Sequence, residues 1–239
     1  MKKVLAMVID ECQSAFLSDR GLMDGVVMEN EILEEIRRKT KSGVCFKVDF
    51  EKAYDSVRWS FLFDMLRRLG FHDKWILWVK GCLVSSYVSV LVNESPTEEF
   101  KPSRGLRQGD PLAPFLFLVV AEGLAGMVRQ ALRTEVLRGV KVGTNSVVCC
   151  LLQFVDDTLF MCEDSFDNIF AIKAILRCFE LTSGLKVNFH KSKLAGIKVD
   201  SYAMSTYAKT LNCNIMSLSF QYLGYKWEET RGRNSSGSG

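Results

Sequence analysis

Two adjacent acids, Asp156 and Asp157, lie inside a run from Leu151 to Met161 that is otherwise mostly apolar and rich in strand-forming residues. The residues on either side, 147–155 and 158–162, predict two short buried strands, and the two-residue gap between them fits a tight hairpin. A carboxylate in an apolar setting is costly unless it is paired, hydrogen-bonded or neutralised by a cation. The pattern therefore predicts a divalent-metal site at a hairpin tip, or a turn with solvated side chains, because Asp is also a common turn residue.

The composition indicates a folded protein. Of the 239 residues, 48% are hydrophobic, which is enough for a sizeable core in one domain or two closely joined lobes. The formal net charge of +3 permits a polyanionic partner without demanding one. The eight cysteines include no Cys-x-x-Cys pair, so they indicate reduced core thiols rather than a zinc or disulfide framework.

No segment predicts secretion or a membrane span. Asp10 and Glu11 cut the N-terminal apolar run short of a signal-peptide core. The longest apolar stretch, 111–128, opens with two prolines and contains Glu122, which favours a core helix over a transmembrane helix. We therefore expect an intracellular protein, in the cytoplasm or the nucleus, without a membrane partner.

A third carboxylate belongs to an earlier predicted strand. Apolar residues recur at helical spacing from Leu22 to Lys39, and Gly43 separates this helix from the alternating run 44–50. Asp49 therefore lies late in a strand. Downstream, the pattern predicts helices over 59–69 and 74–83, and a strand pair formed by 87–92 and 98–102.

A loop bracketed by glycines, 103–114, precedes a long predicted helix that runs towards Leu132. Backbone N–H groups at a helix N-terminus favour an anion, and Arg104 and Arg107 add positive charge. The stretch predicts a phosphate-binding loop, although Gly, Asp and Pro also suit a plain connection.

Beyond the acidic hairpin, the periodicity predicts a helix over 166–181 and a basic turn between short strands in 184–193. The lysines of that turn would face a cleft or form an ordinary solvated surface. A last short strand is predicted over 221–227, and the composition of 228–239 predicts a disordered tail.

The order of these segments resembles that of a reverse transcriptase. The motifs that carry the resemblance are Lys47-Val48-Asp49-Phe50-Glu51-Lys52-Ala53-Tyr54-Asp55, Gly105-Leu106-Arg107-Gln108-Gly109-Asp110-Pro111 and Phe154-Val155-Asp156-Asp157. The runs Gln13-Ser14-Ala15-Phe16, 105–114 and 184–193 resemble more narrowly the polymerases of plant non-LTR (LINE-type) retrotransposons. Together these matches extend from about Leu5 to Tyr225.

The resemblance implies an α+β fold, a polymerase palm in which helices pack behind an antiparallel sheet, with part of the fingers and no thumb. It divides the chain into partial fingers (1–42), a palm with finger elements (43–227) and the tail (228–239). In this interpretation the chain is a fragment of a reverse transcriptase domain, and the turn at 222–224 resembles a primer grip.

The resemblance also implies the chemistry. Joining a nucleotide to a primer 3′-hydroxyl is phosphoryl transfer, which two metal ions roughly 3.5–4 Å apart can catalyse. Asp49 and Asp156 would bridge two Mg²⁺ ions, or Mn²⁺ in their place, with Asp157 close by and the carbonyl of Phe50 completing the shell. Lys191, in the basic turn, would protonate the pyrophosphate leaving group.

Further residues would bind the nucleotide. Tyr54 matches the aromatic position that blocks a ribose 2′-hydroxyl, although a Tyr at this place also suits a core. Gln108 and Gly109 match the position that packs against the incoming nucleotide, where glycine allows close backbone approach. Arg20 matches a position that contacts template or triphosphate. Val155 stands where relatives often carry Ala, and we expect a hairpin strand to accept it without loss.

Three functions follow from this reading. The first is an RNA-directed DNA polymerase domain whose partners are an RNA template, a DNA primer and deoxynucleoside triphosphates. The second is an inactive retroelement remnant that binds nucleic acid weakly, and the third is a generic metal-binding or nucleic-acid-binding module. Primer–template affinity at physiological salt is expected in the non-specific range, about 10⁻⁴–10⁻⁶ M.

Overall fold

The computed structural model describes residues 2–17, 20–38, 42–143, 146–216, 221–222 and 225–226. Its helices, in chain order, are α1 (Lys2–Val8), α2 (Leu22–Arg38), α3 (Ala53–Ser56), α4 (Trp59–Arg68), α5 (Asp73–Val84), α6 (Ala113–Arg133), α7 (Phe166–Ser183) and α8 (Ser201–Leu211). Its strands are β1 (Gly43–Val48), β2 (Phe50–Glu51), β3 (Leu91–Val92), β4 (Ser95–Pro96), β5 (Val140–Val142), β6 (Val147–Cys149), β7 (Leu151–Phe154), β8 (Asp157–Glu163), β9 (Lys186–Val187), β10 (Lys193–Ile197), β11 (Asn214–Ile215), β12 (Gln221–Tyr222) and β13 (Tyr225–Lys226). The helices that the sequence predicts are confirmed to within two residues at each end.

Five strands form the central sheet, in the order β11-β10-β1-β8-β7. Every pair in it is antiparallel except β10 with β11. The other strands form two-stranded pieces, which are β2 with β9, β3 with β4, β5 with β6, and β12 with β13. The chain is therefore α+β with a mainly antiparallel sheet, as the sequence predicts.

Helices cover both faces of this sheet. Val44 and Phe46 of β1 point into the main core, together with residues of α4, α6 and α7. Cys45, between them, belongs to a second core that Ile32 and Leu33 of α2 complete. Alternate strand residues thus enter different cores, which explains why Val44, Cys45 and Phe46 are all buried although they point to opposite faces of the sheet.

The long helix α6 is the centre of the main core. It is the one helix among the described residues that is long and apolar enough to cross a membrane. In its most apolar 18-residue stretch, 67% is buried inside the protein. Glu122, the acid that interrupts the run, is 4% exposed. Its carboxylate accepts hydrogen bonds from the backbone N–H of Asp10 and from the guanidinium of Arg129, so the buried charge is paired.

Three strand predictions need correction. The predicted strand 147–155 breaks at Cys150 into β6, which pairs with β5, and β7, which pairs with β8. The predicted pair 87–92 with 98–102 is reduced to the short β3–β4 hairpin and one bridge between Val88 and Phe100. The last predicted strand is the hairpin β12–β13. Residues 223–224 of the predicted primer grip, Trp227 and the predicted tail lie outside the described residues.

The N-terminal segment shares the main core with the sheet and its helices. Leu5, Ile9, Ala15 and Leu17 are all buried there. Residues 2–17 and 43–216 therefore pack together, while the predicted boundary between residues 42 and 43 stays a prediction.

Candidate active site

The strand register sets Asp49 beside the acidic turn. Val48, the last residue of β1, pairs with Thr158 of β8. Asp49 follows Val48, and Asp157 precedes Thr158, so the two acids lie opposite each other just beyond the end of that ladder. Opposite side chains on antiparallel strands have Cβ atoms about 4.5–5.5 Å apart. The sheet thus brings together acids that are more than a hundred positions apart in the chain.

The charges of these acids interact. Burial raises the pKa of Asp156, and the nearby charges of Asp157 and Asp49 raise it further, against a hydrogen bond from its own backbone N–H that lowers it. Each acid makes the ionised form of Asp156 less favourable, which a cation at the site would reverse. The carboxylate ligands of a divalent-metal site repel one another in this way when no cation is bound.

The three carboxylates are nevertheless not assembled into a finished metal site. Among the residues that the structure describes, no three His, Cys, Asp or Glu side chains form a group that could hold a metal ion. Instead, the Lys47 ammonium lies 3.7 Å from Asp157, across the same end of the sheet. The binding of a metal ion by all three carboxylates therefore stays a prediction. The donor chemistry fits a hard divalent cation, but Asp157 would have to exchange Lys47 for the metal.

The turn itself differs from the expected one. Phe154 pairs with Asp157, so the two-residue loop consists of Val155 and Asp156, and Asp157 is the first residue of β8. Val155 adopts a left-handed backbone with φ of 58°. A β-branched residue is disfavoured in this region, so the expectation that Val155 lies in a hairpin strand is wrong.

Gln13 is a site residue whose role the sequence analysis missed. Its side chain is 1% exposed, and its Oε1 accepts hydrogen bonds from the backbone N–H groups of Val155 and Ala15, both at 3.1 Å. Its Nε2 donates to the carbonyl of Val155 at 3.4 Å. The signal in the sequence is a glutamine beside a short apolar run, a pattern that does not by itself indicate a buried amide.

The basic turn is fastened to Asp49 through the backbone. The N–H of Asn188 donates to the carbonyl of Asp49 at 2.8 Å, and the N–H of Asp49 donates to the hydroxyl of Ser192 at 3.0 Å. Ser192 is 1% exposed and donates in turn to the carbonyl of Asn188. Lys191 is exposed in this turn, close in sequence to both contacts. Its role as a proton donor stays a prediction.

Tyr54 lies at the edge of the main core on the side of the acids. Its ring stacks on Phe117, with centroids 4.7 Å apart and an interplanar angle of 16°. Burial, followed by the negative charge of Asp156, raises the pKa of Tyr54 to about 12. Tyr54 is therefore both a packing residue and a neighbour of the acidic turn. Phe50, which precedes α3 in β2, makes an edge contact with Phe179.

The glycine-bracketed loop docks against the helix that carries Tyr54. The N–H of Leu106 donates to the carbonyl of Tyr54, and the N–H of Gly105 donates to the carbonyl of Val57, both at 2.8 Å. The indole N–H of Trp59 donates to the carbonyl of Gly105 at 2.7 Å. The loop and the acidic turn are thus both neighbours of Tyr54.

The residues of this loop that were assigned to the nucleotide are all exposed, namely Arg104, Arg107, Gln108 and Gly109. The guanidinium of Arg107 donates to the carbonyl of Tyr87. No substituent at Gly109 would meet another atom within 4 Å, so its glycine is required by its φ of 87° rather than by close approach of another segment. The nucleotide contacts of the four residues stay predictions.

The start of α6 is less suited to phosphate than expected. The carboxylate of Asp110 accepts from the N–H of Leu112 at 2.7 Å, and the carbonyl of Asp110 accepts from the N–H of Ala113. Pro114 contributes no N–H. The protein's own acid therefore occupies the helix N-terminus, which leaves the exposed arginines of the loop as the phosphate candidates.

Arg20 has a structural role in the N-terminal segment. Its two terminal nitrogens donate to four backbone carbonyls of the N-terminal segment, at 2.6–3.4 Å. The acceptors are Ala6, Ile9, Asp10 and Gln13. The guanidinium thus satisfies carbonyls at and beyond the end of α1, and its contact with template or triphosphate stays a prediction.

Comparison with known proteins agrees with this arrangement. The family model described as "Reverse transcriptase (RNA-dependent DNA polymerase)" matches residues 1–227. The Pol polyprotein of the type-2 retrotransposable element R2DM of Drosophila melanogaster is 29% identical over 189 residues, which are 79% of this chain and 17% of the relative. The 149 kDa protein of transposon TX1 of Xenopus laevis is 29% identical over 206 residues, 84% of this chain and 15% of the relative.

A further relative is an uncharacterized mitochondrial protein of Arabidopsis thaliana. It is 44% identical over 72 residues, which are 30% of this chain and 59% of that protein. The chain thus spans less than a fifth of the length of each of the two retroelement relatives above and about three fifths of this shorter one.

Solved structures share the fold at low sequence identity. Apo telomerase of Candida tropicalis superposes with a TM-score of 0.58 at 16% identity, covering 76% of this chain and 36% of that one. Telomerase of Candida albicans, in a complex with a fragment of telomeric RNA, gives 0.57 at 14% identity, covering 80% and 32%. These likenesses agree with a polymerase palm. With the family match over residues 1–227, they lead to one conclusion: the chain belongs to the reverse transcriptase (RNA-dependent DNA polymerase) family, with relatives among non-LTR retrotransposon proteins.

Proposed function

We propose that the chain is the catalytic palm of an RNA-directed DNA polymerase of the plant LINE type, which adds deoxynucleotides to a primer 3′-hydroxyl. The observation that carries the proposal is the register that sets Asp49 opposite Asp157, beside Asp156. The higher identity to the Arabidopsis protein, 44%, supports the plant type. Proteins of this family use a divalent metal, and the carboxylate oxygens here suit Mg²⁺, with Mn²⁺ as a substitute.

Asp49 and Asp156 are the residues that would hold the metal, and Asp157 would join them once Lys47 is displaced. Bound metal would supply charge neutralisation for the phosphoryl group and a lower pKa for the attacking hydroxyl. The chain itself positions these acids. Asp49 directly follows β1, Asp157 begins β8, and the β7–β8 turn carries Asp156. Lys47 keeps the charge of Asp157 compensated before metal and substrate arrive.

The remaining roles form part of the same proposal. Tyr54, beside Asp156, would lie under the sugar and exclude a 2′-hydroxyl, while Gln108 and Gly109 would contact the nucleotide. Arg104 and Arg107 would bind its phosphates, and Lys191 would protonate the leaving pyrophosphate. The proposed partners are an RNA template, a DNA primer and deoxynucleoside triphosphates, in the cytoplasm or nucleus and without a membrane.

One observation favours a second candidate, an inactive remnant that binds nucleic acid weakly. Asp157 is paired with Lys47, and the described residues hold no ready group of metal ligands. In an active site, Asp157 would leave Lys47 when metal and substrate bind, whereas in a remnant the Lys47–Asp157 pair would persist.

The test is primer extension on an RNA template with Mg²⁺ or Mn²⁺. The assay uses the chain itself, and also the chain grafted in place of the matching segment of the Drosophila R2 protein. We expect extension by the graft and its loss in Asp156→Asn. The control is Asp64→Asn, which removes an exposed acid on α4 that pairs with Arg67. A graft that folds and binds primer–template but extends it with neither metal would refute the polymerase proposal and favour the remnant.

A further inference from the structure

The N-terminal segment forms an extra edge on the strand that leads into the acidic turn. The N–H of Gln153 in β7 donates to the carbonyl of Cys12 at 2.7 Å, and the N–H of Ser14 donates to the carbonyl of Gln153 at 3.0 Å. Gln13 and Gln153 form a parallel bridge. Because β7 is the edge strand of the central sheet, these bonds fix a strand whose outer side would otherwise lack partners.

The side chain of Gln13 continues this pairing into the turn. Its amide bonds both backbone groups of Val155, accepting from the N–H and donating to the carbonyl, as a neighbouring peptide unit would. Val155 immediately precedes Asp156. Because Gln13 fixes the backbone of Val155, it also fixes the orientation of the backbone that follows, at Asp156.

The turn needs support from outside. Val155 is held at φ of 58°, which is unfavourable for a β-branched residue, and such a conformation persists only where the surroundings fix it. Gln13 is buried and provides two of the fixing hydrogen bonds.

The segment that carries Gln13 is itself firmly attached. Asp10 contacts α6 through its backbone N–H, which donates to Glu122, and through its carboxylate, which pairs with Arg129. Arg20 closes the same segment by bonding its backbone carbonyls. Gln13 is thus connected to the core helix rather than to a loose terminus.

We propose that Gln13 is a positioning residue for the metal-binding turn, holding Val155 so that the Asp156 carboxylate faces Asp49 and Asp157. This inference rests on the proposed function, because it concerns the same acids. Residues that orient ligands without touching the metal typically change metal affinity about 10–100-fold when they are replaced.

The test compares two buried side-chain amides, each of which bonds both backbone groups of one other residue. Gln13 lies beside the acidic turn, and Asn168 lies away from it. Asn168 is also 1% exposed, and its amide bonds both the N–H and the carbonyl of Arg138. It also bonds the carbonyl of Glu163, at the end of β8 opposite the acidic turn. Gln13→Met and Asn168→Leu each replace such an amide by an apolar side chain. Mn²⁺ affinity of the full chain is measured by electron paramagnetic resonance, and folding by circular dichroism.

We expect Gln13→Met to weaken Mn²⁺ binding about tenfold or more, and Asn168→Leu to leave it within about twofold. Where Gln13→Met does not fold, Gln13→Asn is measured instead. It keeps the amide but is one methylene too short to reach both groups of Val155, so its affinity should fall in the same direction.

Asp156→Asn in the same titration separates the two proposals. If Asp156→Asn weakens Mn²⁺ binding but the Gln13 variant behaves like Asn168→Leu, the positioning role is refuted while the metal site stands. If Asp156→Asn has no effect on Mn²⁺ affinity, the proposed metal site itself is refuted.

Discussion

Replacing Gly105 by alanine should destabilise this protein much more than the same change at Gly109, four residues further along the same loop. Both glycines have positive φ, 90° and 87° respectively. A Cβ at Gly105 would lie 2.8 Å from the carbonyl oxygen of Asp55 and 3.2 Å from its Cα, whereas a Cβ at Gly109 would meet nothing within 4 Å. Comparing the two variants therefore separates the cost of a positive φ, which both share, from the cost of close packing, which only Gly105→Ala has.

The expected magnitudes follow from these two contributions. A left-handed backbone costs alanine about 1–2 kcal/mol, and the lower entropy of the unfolded alanine chain offsets about 0.4–1 kcal/mol of that. Gly109→Ala should therefore lower the free energy of unfolding by about 0.5–1 kcal/mol. Gly105→Ala adds overpacking against backbone that cannot rotate away, typically about 1–3 kcal/mol, for a total of about 1.5–4 kcal/mol.

The measurement is urea unfolding of the wild type and both variants at 25 °C, followed by circular dichroism. Gly105→Ala should also disturb the neighbouring hydrogen bond from Leu106 to the carbonyl of Tyr54, and so the position of the loop beside the site. Equal losses for the two variants, within about 0.5 kcal/mol, would show that the loop does not dock on α3 as described.

Two further predictions concern buried and half-buried groups. Burial raises the pKa of Glu29 to about 7 from 4.5, and the charge of Lys47 offsets part of this rise. The folded wild type thus loses stability as the pH rises from about 4.5 to 7, whereas a glutamine at this position does not titrate. The free energy of unfolding of Glu29→Gln, relative to that of the wild type, should therefore rise by about 3 kcal/mol between pH 4 and pH 8 in urea unfolding. If the difference in the free energy of unfolding between Glu29→Gln and the wild type does not change with pH, the carboxyl of Glu29 is not buried as described. In an extending graft, Tyr54→Ala should increase ribonucleotide incorporation relative to deoxynucleotides, and unchanged discrimination would exclude Tyr54 from the sugar site.

Several features were predictable from the sequence because they depend on local chemistry. The helices α2, α4, α5, α6 and α7 follow from apolar spacing and from the glycines and prolines near their ends, whereas α1, α3 and α8 were not predicted. The strand ending near Asp49 follows from its β-forming residues. The order of three motifs was enough to indicate the family. These signals lie within short stretches of chain, so no long-range contact is needed to read them.

The tertiary structure alone decided how the acids are held. The register of β1 with β8 sets Asp49 opposite Asp157, and the same sheet end gives Asp157 a lysine partner that no spacing rule indicates. The left-handed turn at Val155 and the amide of Gln13 that supports it join residues 142 positions apart. Such contacts depend on packing in three dimensions, since a buried glutamine and a surface one look alike in a sequence.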